Sequence, residues 1–429
     1  MVQRLGAPLR SRPLFPRHLE AMNMRTRKIF GVSLSLILIN LAAIMERADE
    51  NLLPSVYKEV SEAFNAGPSD LGYLTFIRNF VQGLASPLAG VLVINHDRPT
   101  VLAMGTFCWA LSTAAVGASQ HFLQVAFWRA INGFGLAIVI PALQSFIADS
   151  YMDGVRGTGF GLLSLVGSLG GIGDPRKTVS INHDTGEAEE KKVLSEKGNA
   201  ISTASFWRES WMAMKTVMKV QTFQVIVLQG IVGSLPWTAM VFFTMWFELV
   251  GFDHNGTATL LSLFAIGCAL GSLLGGLIAD KLSQIYPHSG RIMCAQFSAF
   301  MGIPFSLYLL RVIPQSVSSY YTFATTLFLM GLTISWNGSA VNAPVFAEVV
   351  PAKHRTMIYA FDRAFEGSFS SVAAPLVGII SEKIYGYDSK SVDPVGGSAP
   401  EALALSKGLL SMMAVPFDVP NVNNTFWGG

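Results

Sequence analysis

Three groups of charged residues stand inside stretches that are otherwise apolar, where a charge costs from about 3 kcal/mol upward and marks function unless a partner offsets it. The first is Glu46, Arg47, Asp49 and Glu50. Glu46 and Glu50 are one helical turn apart and share a face, with Arg47 beside them. Carboxylates placed so can bind and release a proton as the site changes its exposure, which makes this group the candidate for proton coupling. The alternative is a solvated structural cluster at the membrane interface. The second group is Arg78, Asn79 and Gln82 with Arg129. Two guanidinium forks match a carboxylate or a phosphate, so they suit an anionic head group, or else they only neutralise Glu46 and its neighbours. The third is Asp362, Arg363 and Glu366, for which a structural salt-bridge network near Arg355 competes with a place in a substrate cavity. Trp237, Trp246 and Asn337 complete the candidate cavity lining, although tryptophans in such chains also pack against lipid.

The elements that position these residues are membrane-spanning helices. Only 14% of the 429 residues are charged, against about a quarter in a soluble globular chain. Apolar runs long enough to cross a bilayer lie near 30–52, 70–94, 100–119, 121–148, 156–173, 223–249, 257–279, 292–313, 321–347 and 356–381, with a shorter run at 402–417. This predicts an all-α membrane protein. Its basic start is residues 1–29, its first half 30–173, its polar central loop 174–222, its second half 223–417 and its polar tail 418–429. The N-terminal arginines precede the first run and no small-residue cleavage site follows, so a retained, cytoplasmic N-terminus is expected. The net charge of +2 sits in short loops and at the N-terminus and gives no nucleic-acid signal. The three cysteines lie in apolar runs without metal-ligand or disulfide spacing. No P-loop, metal cluster or nucleophile elbow is visible, so neither an enzyme nor a cofactor is expected.

The two halves echo one another. Asp149 is followed seven residues later by Arg156, and Glu348 at the same interval by Arg355. Asp280 with Arg291 corresponds more loosely to Asp97 with Arg98. Charged turns repeated between two apolar spans suit a gate closing the cytoplasmic side of two rocking halves. Gly267, Gly271 and Gly275 form a stripe of small residues, and Gly157/Gly161 and Gly167/Gly171 form pairs, all allowing close helix approach.

These loops resemble the signature loops of the major facilitator superfamily. The run Asn40–Asp49 and Arg129 in Phe-Trp-Arg-Ala-Ile-Asn-Gly-Phe-Gly are similar to its Spinster-like branch, most of all to plant members. The sequence departs from that pattern at Glu46 (Asp in the pattern), at Ile94 (Asp) and at Leu136 (Glu). The resemblance implies a twelve-helix fold of two pseudo-repeated halves. It also implies a monomeric, proton-coupled secondary carrier of a small organic or amphiphilic, lysolipid-like solute, in the plasma membrane or an endomembrane.

The span count is odd before a basic central loop carrying Lys191, Lys192 and Lys215. A helix missing between Gly173 and Asp174 restores parity, and the run at 402–417 reads as a curtailed last helix. Two outcomes follow for the chain as it stands. It transports, or it is a non-transporting short form. If the basic loops keep their side, helix five is the span expected to be left out, and the second half keeps its ordinary orientation.

Overall fold

The computed structural model describes residues 28–29, 32–64, 66–96, 98–150, 155–168, 212, 215, 218, 221–287, 289–338, 342–349, 355–388 and 398–418. Residues 1–39 form a unit of their own, containing a small antiparallel ladder that pairs Lys28 with Ser33 and Ile29 with Val32. Regular helix therefore begins at Leu34 and not at residue 30.

From Asn40 onward the chain is one compact helical unit. The helices of the first half are α1 Leu34–Leu52, α2 Tyr57–Phe64, α3 Pro68–Ala85, α4 Pro87–Asn95, α5 Arg98–Gly117, α6 Phe122–Ser150 and α7 Arg156–Gly167. Those of the second are α8 Gln221–Ala239, α9 Phe243–Val250, α10 His254–Ile285, α11 Gly290–Leu307, α12 Tyr320–Ile334, α13 Ala343–Val349, α14 Arg355–Ser370, α15 Ala373–Lys383 and α16 Ala399–Asp418. Seven stretches among the described residues are both long and apolar enough to cross a membrane, each matching a span read from sequence. Two of the other three have local reasons to fall short. The stretch Leu34–Leu52 carries four charges. The stretch α3–α4 is divided at Ser86, because Pro87 has no N–H to continue the ladder. There the Ser86 N–H is shared between the carbonyls of Gln82 at 3.0 Å and Gly83 at 3.1 Å, which satisfies the acceptor that Pro87 abandons. Helix α7 is described over 12 residues, about 18 Å, and the remainder of that run, 169–173, lies outside the described residues.

Two long contacts join the halves. Helix α3 lies along α14 and α15, and α7 lies along α10. Both depend on missing side chains. A Cβ at Gly72 would be 2.7 Å from Pro375 Cα, and one at Gly276 would be 2.3 Å from the Gly157 carbonyl oxygen. The glycine stripe of α10 meets α12 in the same way, with Gly267 against the Phe328 carbonyl and Gly271 against the Leu332 carbonyl.

The start of α7 meets the end of α10, and the start of α14 meets the end of α6. The helix singled out for omission is nevertheless packed in the bundle. It ends within the bundle at Gly167, against Ala43 and Arg47. The last helix, of 20 residues, starts three residues before the apolar run at 402–417 and ends one residue beyond it.

Candidate functional site

The buried polar network of the first half is built around Asp49. Its carboxylate accepts from Thr113 Oγ1 at 2.8 Å and from Asn132 Nδ2 at 3.2 and 3.3 Å. Arg78 donates through Nε to Asn132 Oδ1 at 3.2 Å and through Nη1 to Asn79 Oδ1 at 3.0 Å. Its Nη2 lies 3.7 Å from Asp49, and Arg129 Nη1 lies 4.0 Å from the same oxygen. Asp49, Arg78 and Arg129 are each 5% exposed or less. Among the described residues these two guanidinium groups thus have one carboxylate within 4.0 Å, and the buried Arg129 Nε has no hydrogen-bond partner. Gln82 is buried on the same helix.

The four charges grouped by sequence at the end of α1 therefore separate. Asp49 turns into α3, α5 and α6. Arg47 and Glu50 pair at 2.7 Å in a half-exposed position. Glu46 has no hydrogen bond or ion pair among the described residues and is neither fully buried nor exposed. Leu136, where the Spinster-like pattern has an acid, is fully buried against Trp109 and Ile140.

In the second half, Asp362 and Glu366 face α8. Glu366 accepts from the Ser234 hydroxyl, and neither acid forms an ion pair among the described residues, so the competing salt-bridge network is not found there. Asn337 lies beside Gly233 and Asn342 beside Gly230, both near this pair. Arg363 makes no ion pair among the described residues. Trp246 is fully buried in a cluster with Phe243, Phe247 and Phe323. Trp237 is 38% exposed and packs on Phe264.

The charged loops join across the halves. Arg355 donates to Asp149 at 2.5 Å and to the Ala347 carbonyl at 2.9 Å. Arg156 donates to the carbonyls of Ala148 and Ala347, each at 3.2 Å. Asp280 accepts from the N–H groups of Gly157 and Thr158 and from the Thr158 hydroxyl, while Arg291 holds it at 2.9 Å. A carboxylate from one half thereby caps a helix start in the other, where backbone donors and dipole favour an anion. Asp97 and the side chains of Arg98 and Glu348 lie outside the described residues. A second clasp, Glu382 to the Ser69 N–H at 3.0 Å and hydroxyl at 2.6 Å, lies 27 residues beyond Arg355 along α14–α15, about 40 Å away.

Sequence reading missed Asn132, Thr113, Ser234, Asn342, Thr158 and the Glu382–Ser69 clasp. Asn132 carried a signal, since it sits three residues after Arg129 on one face. The neutral hydroxyls carried none.

Residues 39–174 match the Major Facilitator Superfamily. The chain is 22% identical over 388 residues to protein spinster of Drosophila melanogaster, covering 81% of this chain and 61% of that protein. It thus spans less than two thirds of that relative's length. Among solved structures it is similar to a bacterial homologue of the human lysosomal transporter Spinster in an inward-facing, unoccupied conformation. The TM-score there is 0.62 at 13% identity, over 91% of this chain and 95% of that one. It is also similar to the human organic anion transporter MFSD10, with a TM-score of 0.61 at 13% identity over 90% and 98% of the two chains. The family match over residues 39–174, the two-half fold and the charged loops joined across it agree: the chain is an integral membrane protein similar to the Spinster-like members of the major facilitator superfamily.

Proposed function

We propose that the protein is a secondary carrier, working as a monomer, which binds the anionic group of a small organic or lysolipid-like solute at Arg78 and Arg129. One observation carries the reading. Two buried guanidinium groups meet a single carboxylate at 3.7 and 4.0 Å, and Arg129 keeps an unused buried donor. Charge and donors left over in a low-dielectric site are completed by an anion. Transport follows if the clasps at Asp280–Thr158 and Arg355–Asp149 open in alternation with the one at Glu382–Ser69.

Glu46 is the proposed carrier of the coupled proton, since it stands one helical turn from Glu50 and beside Arg47 in an otherwise apolar stretch. Glu46→Gln is expected to abolish uptake driven by a pH gradient while solute exchange stays within about twofold. Unchanged pH-driven uptake in reconstituted vesicles would remove the assignment.

The odd number of apolar runs before the basic central loop favours a second reading, a non-transporting form that interferes with a longer sibling. The two readings separate in vesicles containing this chain alone, beside the same chain with a spanning helix inserted after Gly173. Uptake by both supports the carrier, and uptake only with the inserted helix supports the short-form reading.

A further inference from the structure

Helix α8 turns Gly230 and Gly233 toward a set of polar side chains that share no cation. A methyl-sized group at Gly230 would lie 3.8 Å from Asn342 Nδ2, 3.8 Å from the Glu366 carboxyl carbon and 4.0 Å from Asp362 Oδ1. Asp362 is 8% exposed, and its Oδ1 has no hydrogen-bond partner. The Oδ1 atoms of Asn337 and Asn342 are buried and unpartnered as well. Which end of the Asn342 amide faces inward is an assignment, and turning it over breaks no hydrogen bond among the described residues.

Asn337 and Asn342 lie between the end of α12 at Ile334 and the start of α13 at Ala343. Arg363, next in the chain to Asp362, forms no ion pair among the described residues. Two carboxylates, with the unpartnered amide oxygens of Asn337 and Asn342 beside them, form a polar site that a positive charge would stabilise.

We propose that Gly230, Ser234, Asn342, Asp362 and Glu366 form a binding site for a singly charged cation, taken up as a sodium ion or as the protonated amino group of a solute. The site rests on the proposed reading of the interface between the halves as solute-facing, but its occupancy is measurable without transport. A failure of one is therefore distinguishable from a failure of the other.

The test uses the full chain in detergent or nanodiscs, with melting followed in choline chloride and on titration with sodium chloride or n-butylammonium chloride at constant ionic strength. A saturable rise of about 3 °C or more is expected from one of the two cations. A response to sodium assigns a coupling ion, and one to butylammonium alone assigns a solute amine. Gly230→Ala is the variant of choice, because its Cβ makes only ordinary contacts yet fills the centre of the site. It is expected to keep the basal melting temperature and lose about tenfold or more in apparent cation affinity. Asp362→Asn should lose the response too, whereas Gly117→Ala, with open space around it, should keep it. No response to either cation overturns the proposal. So does a response that Gly230→Ala leaves intact, or a stabilisation that follows pH in choline chloride alone.

Discussion

Gly276→Val is expected to remove most of the folded protein from the membrane fraction. A Cβ at Gly276 would sit 2.3 Å from the Gly157 carbonyl oxygen, 2.7 Å from its carbon and 3.2 Å from the Thr158 nitrogen. All three are backbone atoms, so no side chain can yield, and α7 must move away from α10. That movement also strips Asp280 of its contacts to Gly157 and Thr158 at 2.8 to 3.2 Å. Overpacking costs about 1–3 kcal/mol, and losing charge-assisted hydrogen bonds adds about 1.5–3 kcal/mol, together a large part of a stability of about 5–15 kcal/mol. Size-exclusion profiles of the solubilised chain check this, with Gly117→Ala as the neutral control. A monodisperse Gly276→Val protein with parental yield would contradict the α7–α10 contact.

The second large effect is conformational. Arg355→Ala removes the 2.5 Å contact to Asp149 and a contact to the Ala347 carbonyl, both at the face carrying the basic loops. Glu382→Ala removes the clasp on Ser69 at the opposite face. Each loss is worth about 1.5–3 kcal/mol, enough to shift two-state populations by about 10- to 100-fold. The shifts are opposite in sign. With the three native cysteines replaced by serine, a cysteine at Asn79 should label faster from the cytoplasmic side in Arg355→Ala and faster from the other side in Glu382→Ala. Equal labelling in both variants and the parent would reduce these contacts to surface pairs.

How far the sequence reveals this arrangement depends on the kind of information each feature carries. Span positions and the glycine stripe are legible because length, hydropathy and a four-residue spacing are properties of a single helix. The loops at Asp149–Arg156 and Glu348–Arg355 are legible as a repeat, but their partners are not. Arg355 pairs with Asp149, 206 residues away, and Arg156 reaches the carbonyl of Ala347. Such pairings arise only when the halves dock, and local spacing does not encode them. The same limit explains Asp49. Adjacent to Glu50 in sequence, it points about 100° away around the helix and into the arginine network. Asn342 and Ser234 escape notice because uncharged polar residues are common in membrane helices. Only their place beside Gly230 and Glu366 in the folded chain sets them apart.

The central claim is that a buried guanidinium pair in the first half holds the anionic part of a transported solute. Uptake of a radiolabelled lysophospholipid, and of a small organic anion beside it, into proteoliposomes tests it most directly, comparing the parent chain with Arg129→Lys. Lysine keeps the charge but loses the planar fork. The account predicts saturable uptake of one of the two solutes by the parent. In Arg129→Lys that uptake falls about 10- to 100-fold with the melting temperature little changed. Saturable uptake that Arg129→Lys leaves untouched, or no uptake above protein-free liposomes either by this chain or by the chain with a restored helix after Gly173, would contradict it.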